Sequence, residues 1–163
     1  MFKKIFVTLH TNLNSIKNQR GIASVSRTKN YNMTDPLTLR PSMDEISRLR
    51  AFVAQATTSA GMDDSDAHRL RLALEEAVVN VVGYGHATAI VVSAEVADGR
   101  LLLTIDDDGL PFDPTQGSQT DMTVSADERP PGGLGIILMQ KMTDRLSYER
   151  VGGHNILRME KAI

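Results

Sequence analysis

The chain lacks cysteine altogether, and aromatic residues make up 4% of its 163 residues. Without cysteine there is neither a disulfide framework nor a thiolate metal site, and this composition suits the reducing cytoplasm. No apolar run approaches the roughly 18 residues that a membrane span needs. The length leaves room for one domain with a proper hydrophobic core. We therefore expect a single-domain cytoplasmic protein that does not act in a membrane.

Acidic residues are missing from the start of the chain. Residues 1–34 hold six of the 18 basic residues and none of the 20 acidic residues. This segment is polar and has no sustained hydrophobic period, which predicts a disordered basic extension. A basic arm can bind nucleic acid or a membrane, but a loose tail is the simpler interpretation. The acidic remainder, 35–163, is expected to be the functional domain, and its charge argues against direct binding to nucleic acid.

Hydrophobic periodicity divides 35–163 into helices and strands. Ser42 and Glu45 have the S-x-x-E spacing of a capping box, which predicts the start of the first helix. The predicted elements are a strand at 37–40, a helix ending at Gly61, a helix at 63–82, strands at 90–96 and 101–107, a long loop, a helix from Leu134, and strands at 146–151 and 155–161. Helices beside hairpin strands predict an α+β two-layer sandwich.

Glu76 and Asn80 lie four residues apart in the second predicted helix, so they share one face. A carboxylate and an amide there could hold a hydrated Mg2+, which takes few protein oxygens, or the carboxylate could deprotonate a nucleophile. For this pair alone a solvated polar flank is the simpler explanation, although asparagine is a mediocre helix former. Glu75, four residues after Arg71, is expected to be only a surface ion-pair partner.

Asp107 alternates in phase with the apolar residues of its strand, so its side chain should point inward. A buried carboxylate needs a partner, and an amino group on a ligand would supply one. Gly109, two residues later, allows close approach of the backbone. A solvated strand end explains Asp107 and its neighbours Asp106 and Asp108 equally well, so both interpretations stay open.

Gly133 and Gly135 open the third predicted helix, after a loop from 109 to 132 that contains four prolines. Free amides at a helix start form a natural phosphate site, and a long loop in a compact domain is often functional. A glycine turn before an ordinary helix is a common alternative. The apolar face of this helix is expected to hold Leu134, Ile137, Leu138 and Met142. Together, the Glu76–Asn80 pair, the inward-facing Asp107, the long loop and the glycines supply the parts of a complete nucleotide site.

The motifs E-x-x-x-N, D-x-G and G-x-G, in this order, resemble the N, G1 and G2 boxes of the Bergerat ATPases. That superfamily includes gyrase, the heat-shock chaperone ATPase and the histidine kinases. The longer segments EEAVVN, DDDGLPFDP and GGLGIILMQKMTD resemble the anti-sigma-factor serine/threonine kinases. The resemblance covers about 35–163. It implies a two-layer sandwich in which three helices cover one face of a mixed, mainly antiparallel sheet.

The resemblance implies an ATP-dependent kinase that uses Mg2+, with Glu76 as the catalytic base and Asn80 as the metal ligand. Such kinases phosphorylate a small anti-anti-sigma protein of the STAS type on serine or threonine. They also bind a sigma factor, typically as homodimers. Arg129, in the long loop that we expect to act as a lid, is a candidate for a basic contact to the nucleotide that the family usually makes from the N box, where this chain has Gly83.

The other nucleotide contacts also follow from the resemblance. Asp107 would bind the adenine amino group, and Gly109 would line the base pocket. Gly133, Leu134 and Gly135 would hold the phosphates.

The chain departs from the family at one position of the N box. A lysine or arginine often stands three residues after the asparagine, whereas this chain has Gly83. A second hypothesis is therefore a non-catalytic module, in which ATP only shapes a surface for partner switching. A third, a detached histidine-kinase catalytic domain, is disfavoured because the phospho-acceptor histidine helix is absent from the sequence.

Overall fold

A computed structural model of the protein describes residues 31–32, 34–116 and 133–163. The predicted lid with Arg129, and most of the basic extension, lie outside these ranges. Within them, no helix combines the length and apolarity needed to cross a lipid bilayer. The strands are β1 (Tyr31–Asn32), β2 (Leu37–Leu39), β3 (Ile90–Ala97), β4 (Arg100–Asp107), β5 (Arg145–Val151) and β6 (His154–Ala162). The helices are α1 (Ile46–Ala60), α2 (Asp64–Asn80) and α3 (Gly133–Met142), and a π-helical turn, Val81–Gly85, continues α2.

The strands form one sheet in the order β1–β3–β4–β6–β5, and β2 also pairs with β3. β3–β4 and β5–β6 are hairpins, and β6 lies between β4 and β5. The predicted α+β two-layer sandwich is confirmed. All pairings among the described strands are antiparallel, so this part of the sheet is antiparallel rather than mixed. This order places the C-terminal ends of β4 and β5 next to the N-terminal end of β6.

Every second residue of β4 is buried, and these residues pack the sheet against the helices. Leu101, Leu103 and Ile105 are fully buried. They share one core with Leu70 and Leu74 of α2. Each fully buried leucine stabilises the fold by about 1.5–3 kcal/mol relative to an exposed one. Because the two leucines of α2 must face this core, the rotation of α2 about its axis is set, and with it the direction of the remaining side chains.

The predicted capping box at the start of α1 is wrong. Ser42 Oγ does accept a hydrogen bond, but from the amide of Asp44 at 3.3 Å. Glu45 does not reach back to Ser42, because its carboxylate accepts from the guanidinium groups of Arg40 and Arg48. A short 3-10 turn ends at Glu45, so this residue precedes the α-helix instead of occupying its first turn. Two charged donors outcompete one backbone amide for the carboxylate.

The apolar face predicted for α3 is wrong at its first residue. Leu134 is 57% exposed, whereas Ile136 and Met139 are buried in the core. The predicted members Ile137 and Leu138 are only half-buried. Since residues three apart lie on one side of a helix, Ile136 and Met139 define the side that faces the sheet. The sequence of α3 is apolar nearly all round, so periodicity could not choose between the two faces.

The sheet begins before the boundary expected at residue 35. Tyr31 and Asn32 form β1, which pairs with Val96 and Glu95 at the end of β3. This part of the predicted loose extension therefore contributes backbone hydrogen bonds to the fold. The division into a basic extension, 1–34, and an ATP-binding domain, 35–163, otherwise stays a prediction, since residues 1–30 lie outside the described ranges.

Candidate functional site

A cavity of about 290 Å³ lies between the end of α2, the helix α3 and the sheet. Its walls are largely apolar and include Ile105, Ile136, Met139 and Leu157, all of them core residues. The polar side chains on its lining are Asn80, Asp107, Tyr148 and Asn155, and Tyr84 and Phe112 add exposed aromatic rings. A mostly apolar cavity with a few convergent polar groups is the usual form of a small-molecule site.

The first polar group of the site, here called the α2–α3 cluster, consists of Glu76, Asn80 and Gly135. A Cβ atom placed on Gly135 would lie 2.7 Å from Glu76 Oε2 and 3.6 Å from Asn80 Nδ2. The first distance is shorter than Cβ contacts in real proteins, so a side chain at 135 would displace the Glu76 carboxylate from this position. The predicted pair on α2 and one of the predicted glycines on α3 are thus neighbours in space.

Asn80 carries an unsatisfied polar group. The residue is 9% exposed, and its Nδ2 has no hydrogen-bond partner among the described residues. Burying an amide without a partner costs about 1–3 kcal/mol, and native proteins rarely leave one so. Because the oxygen and nitrogen of an asparagine amide can exchange places by rotation, either atom can be offered to a ligand. The orphaned amide therefore fits a site completed by a ligand from outside the chain.

The second polar group, here called the Asp107 network, surrounds the end of β4. Asp107 is buried, and its Oδ1 accepts from the amide of Gly109 at 2.9 Å and from Asn155 Nδ2 at 2.8 Å. Within the described part of the chain, no donor reaches Oδ2. Asp107 lines the cavity, so Oδ2 is the oxygen left for a ligand. The predicted inward orientation of Asp107 agrees with its burial, while its role with adenine stays a prediction.

Sequence analysis missed Asn155 and the residues that hold it. Tyr148 Oη and Arg150 Nη1 donate to Asn155 Oδ1 at 2.8 and 2.6 Å. A signal was available, because Asn155 alternates in phase with Leu157 and Met159, which are buried. A polar residue at a buried position of a strand needs partners, as Asp107 does.

Gly109 is required by a close contact between two loops. A Cβ atom on Gly109 would lie 2.4 Å from the carbonyl oxygen of Gly85 and 2.8 Å from Asp107 Oδ1. The next amide, of Leu110, donates to the same Gly85 oxygen at 2.7 Å. This backbone bond joins the π-helical turn after α2 to the loop after β4. The two segments that border the cavity on this side are therefore held together by backbone atoms.

The acids beside Asp107 have structural partners of their own. Asp108 accepts from the amide and hydroxyl of Thr88 and from the amide of Ala89. These bonds, the Thr88 hydroxyl first, lower the pKa of Asp108 from 3.8 to about 2. Asp106 pairs with His154 at 2.7 Å. Neither acid lines the cavity, which agrees with the interpretation that Asp106 and Asp108 belong to a solvated strand end.

The remaining predicted residues are less closely tied to the cavity. Gly133 begins α3, and the exposed Leu134 does not line the cavity. Arg129 lies outside the described residues. Gly83 is exposed, and a Cβ atom there would meet no atom within 4 Å. Glu75 forms ion pairs with Arg50 and Arg71, which agrees with its expected surface role.

A preformed metal cage is absent from the described residues, since no three acidic or histidine side chains converge there. Mg2+ usually takes one or two protein oxygens and keeps several waters or phosphate oxygens. Asn80 is a suitable neutral donor for such an ion. The residues present therefore fit a magnesium ion bound together with phosphates.

Comparison with known proteins supports the nucleotide-site interpretation. Residues 39–161 match the family model of the histidine kinase-like ATPase domain. The serine/threonine-protein kinase BtrW of Bordetella bronchiseptica is 36% identical over 92 residues, which cover 54% of this chain and 65% of BtrW. The chain thus spans a little under two thirds of that relative's length.

A solved structure shows the same fold. The RsbU and RsbW domains of Rv1364c from Mycobacterium tuberculosis match 79% of this chain and 32% of theirs, with a TM-score of 0.55 and 20% identity. The family model confirms the resemblance to the ATPase superfamily, and the similarity to BtrW agrees with the resemblance to serine/threonine kinases within it. The chain belongs to the family of histidine kinase-like ATPase domains.

Proposed function

We propose that the protein is an ATP-dependent serine/threonine kinase that acts as an anti-sigma factor. In this proposal it phosphorylates a small anti-anti-sigma protein of the STAS type, sequesters a sigma factor, and works as a cytoplasmic homodimer. Membership of a kinase-type ATPase family supports the chemistry, and the likeness to BtrW, which is named a serine/threonine-protein kinase, supports the class of acceptor.

The observation that carries the proposal is the α2–α3 cluster. A carboxylate, and a buried amide with no partner among the described residues, lie against the first turn of α3, where a residue larger than glycine would displace the carboxylate. The first turn of a helix offers free amides and a positive dipole end to phosphate groups. A base, a metal ligand and a phosphate site are the parts that phosphoryl transfer requires, because catalysis of this reaction is mainly positioning and electrostatic stabilisation.

Each residue of the cluster has a separate task in this proposal. Asn80 would hold Mg2+ through its side-chain amide, and the ion would neutralise phosphate charge. Glu76 would accept the proton of the serine or threonine hydroxyl of the partner. Glu76 is only half-buried, so part of its side chain is accessible from outside. Gly133, Leu134 and Gly135 would hold the phosphates through the start of α3, with Arg129 approaching from the lid.

The Asp107 network would recognise the base. Asp107 Oδ2 can accept a hydrogen bond from the amino group of adenine, while guanine offers a carbonyl oxygen at that position and would be repelled. The apolar walls of the cavity suit a flat heterocycle. Gly109 would let the base approach the backbone, since no side chain intervenes.

The test is transfer of labelled phosphate from Mg-ATP to small STAS-type proteins encoded in the same genome. The wild type should label its acceptor on serine or threonine. Asn80→Ala should lose transfer and also weaken Mg-ATP binding by about 1–3 kcal/mol. The loss of affinity should shrink when Mg2+ is chelated, because the affected contact is to the metal. A wild type that binds Mg-ATP and its partner yet never transfers phosphate would refute the kinase assignment.

Gly83 favours a second candidate, a non-catalytic ATP-binding module for partner switching. The position is exposed and open, and none of the described residues that line the cavity is basic. Without a basic side chain at 83, one expected contact to phosphate or target is missing. Introducing Gly83→Lys separates the candidates, since restored transfer would show that only this contact was lacking.

A further inference from the structure

Asn155 is saturated with hydrogen bonds. Its Nδ2 donates to Asp107 Oδ1 at 2.8 Å and to the carbonyl oxygen of Leu110 at 2.9 Å. Its Oδ1 accepts from Tyr148 Oη and Arg150 Nη1. An asparagine side chain has two donors and two acceptor sites. All four are used within the protein, so Asn155 lines the cavity without a free group for a ligand.

The orientation of this amide is decided by its neighbours. On one side stand Asp107 and the Leu110 carbonyl, and an ionised carboxylate and a carbonyl can only accept hydrogen bonds. On the other side stands Arg150, whose guanidinium can only donate and stays charged at any ordinary pH. Rotating the amide by half a turn would place oxygen against two acceptors and the amino group against a cation. Arg150 and Asp107 are therefore coupled through Asn155.

The sheet register places these three residues in one row. Asp107 of β4 is paired with Asn155 of β6, and Asn155 is paired with Arg150 of β5. Directly paired residues of an antiparallel sheet project on the same face. Arg150 Nη1 also donates to the carbonyl oxygen of Gly109 at 3.1 Å. The guanidinium thus contacts both the amide that holds Asp107 and the loop that follows it, although Arg150 itself is exposed and does not line the cavity.

We infer that Arg150 is a positioning residue that sets the base specificity of the site. It holds the Asn155 amino group on Asp107 Oδ1, which leaves Oδ2 as a fixed acceptor in the cavity for a ligand amino group. The site then selects a base with an exocyclic amino donor, as in adenine, over one with a carbonyl oxygen, as in guanine. The inference rests on the proposed nucleotide-binding function, and it concerns a residue that touches neither base nor phosphate.

The test compares the affinities of Mg-ATP and Mg-GTP by calorimetry for the wild type, Arg150→Met and Arg150→Lys. Methionine keeps part of the apolar stem and removes every donor, so the preference for ATP over GTP should fall about tenfold or more. Lysine retains a charged donor and should keep more of the preference. Tyr148→Phe removes one hydroxyl donor and should give a smaller reduction, because the guanidinium still sets the orientation.

Arg145→Met is the matched control, since Arg145 lies on the same strand, is 71% exposed at its side chain, and pairs only loosely with Glu160 at 3.8 Å. It should leave the preference unchanged. Melting temperatures without nucleotide report any general loosening of the fold. If Arg150→Met lowers the affinities for both nucleotides equally, so that the preference for ATP over GTP is unchanged, the inference is overturned and the role of Arg150 is merely structural. A wild type that binds neither nucleotide would instead overturn the proposed function.

Discussion

The two polar groups of the site differ in how completely the chain satisfies their asparagine side chains. In the Asp107 network, Asn155 uses all its hydrogen-bonding capacity, and Gly109 and Leu110 are tied to neighbouring backbone and side chains. In the α2–α3 cluster, Asn80 keeps a buried amide without a partner among the described residues. The amide of Asn155 is therefore fully satisfied before a ligand arrives, and that of Asn80 is not.

Under the proposed function, this difference separates recognition of the base from phosphate transfer. Asn155 has no free donor or acceptor with which to rearrange around a mispaired base, so the Asp107 network suits discrimination between bases. The buried amide of Asn80, without a partner among the described residues, costs stability in the free protein and regains it when a metal or ligand binds. In this proposal stability is given up at the α2–α3 cluster and retained around Asn155.

The largest expected effect is on transfer at the α2–α3 cluster. Glu76→Gln should lower the rate of phosphate transfer by roughly 10²–10⁴ while ATP affinity changes by only a few fold, because the carboxylate acts on the incoming hydroxyl. Labelled-phosphate assays and calorimetry measure the two quantities separately. Glu75→Gln is the matched control, since Glu75 is held by Arg50 and Arg71 and should leave transfer intact. A Glu76→Gln protein that transfers phosphate at the wild-type rate would contradict the assignment of Glu76 as the catalytic base.

The next effect is on affinity at the Asp107 network. Asp107→Asn keeps the shape of the side chain but loses a charge-assisted hydrogen bond, which should weaken ATP binding by roughly 1.5–3 kcal/mol. Calorimetry with ATP measures this loss directly. Asp106→Asn changes the adjacent acid, which pairs with His154, and should leave ATP affinity near the wild-type value. Equal affinities of Asp107→Asn and the wild type would exclude Asp107 from the site.

A smaller effect is expected on stability where the two helices meet. Gly135→Ala places a methyl group 2.7 Å from Glu76 Oε2, the end of a flexible side chain that must move aside, so the melting temperature should fall by an amount equivalent to no more than about 1 kcal/mol. Gly83→Ala is the control, because the new methyl group meets open space. It should be neutral or slightly stabilising, as alanine has the higher helix propensity. Similar melting temperatures of the two variants would contradict the close helix contact.

The smallest effect concerns pH and lies outside the cavity. The folded pKa of Asp108 is about 2, below its ordinary value of 3.8, with the Thr88 hydroxyl as the leading cause. A lowered folded pKa means that the stability it contributes is present above the ordinary value and disappears as pH falls through the folded value. The stability gap between the wild type and Asp108→Asn should therefore close between pH 3.8 and about 2. Unfolding curves across that range measure this gap. If the stability difference between the two proteins does not change with pH, Asp108 makes no such contribution.

Local patterns in the sequence were sufficient for most of the elements. The Asp98-Gly99 pair predicts a two-residue hairpin, and both residues have the positive φ, 52° and 70°, that such a turn needs. Gly61 ends α1 in the left-handed conformation, at a φ of 72°. These signals work because they depend only on the conformational preferences of neighbouring residues.

Predictions failed where contacts or packing outside the recognised pattern decided the outcome. Glu45 does not make the expected capping bond because Arg40 and Arg48, five and three residues away, bind its carboxylate. Leu134 lies off the core face because α3 is apolar nearly all round and packing chose Ile136 instead. The capping-box spacing and the apolar period of α3 include neither the two arginines nor the packing against the sheet.

For the candidate site, the sequence by itself determined the residue types and the faces of Glu76, Asn80 and Asp107, because helical and strand periods follow from backbone geometry. Only the tertiary structure decided that Gly135 lies against Glu76 and that Asn155 is hydrogen-bonded to Asp107 on one side and to Arg150 on the other. The contacts of Glu76 with Gly135 and of Asp107 with Asn155 join segments far apart in the chain, and the pairing of Asp107, Asn155 and Arg150 depends on strand order and register. Hydrogen-bond partners across a sheet are chosen by that register, which no single segment encodes.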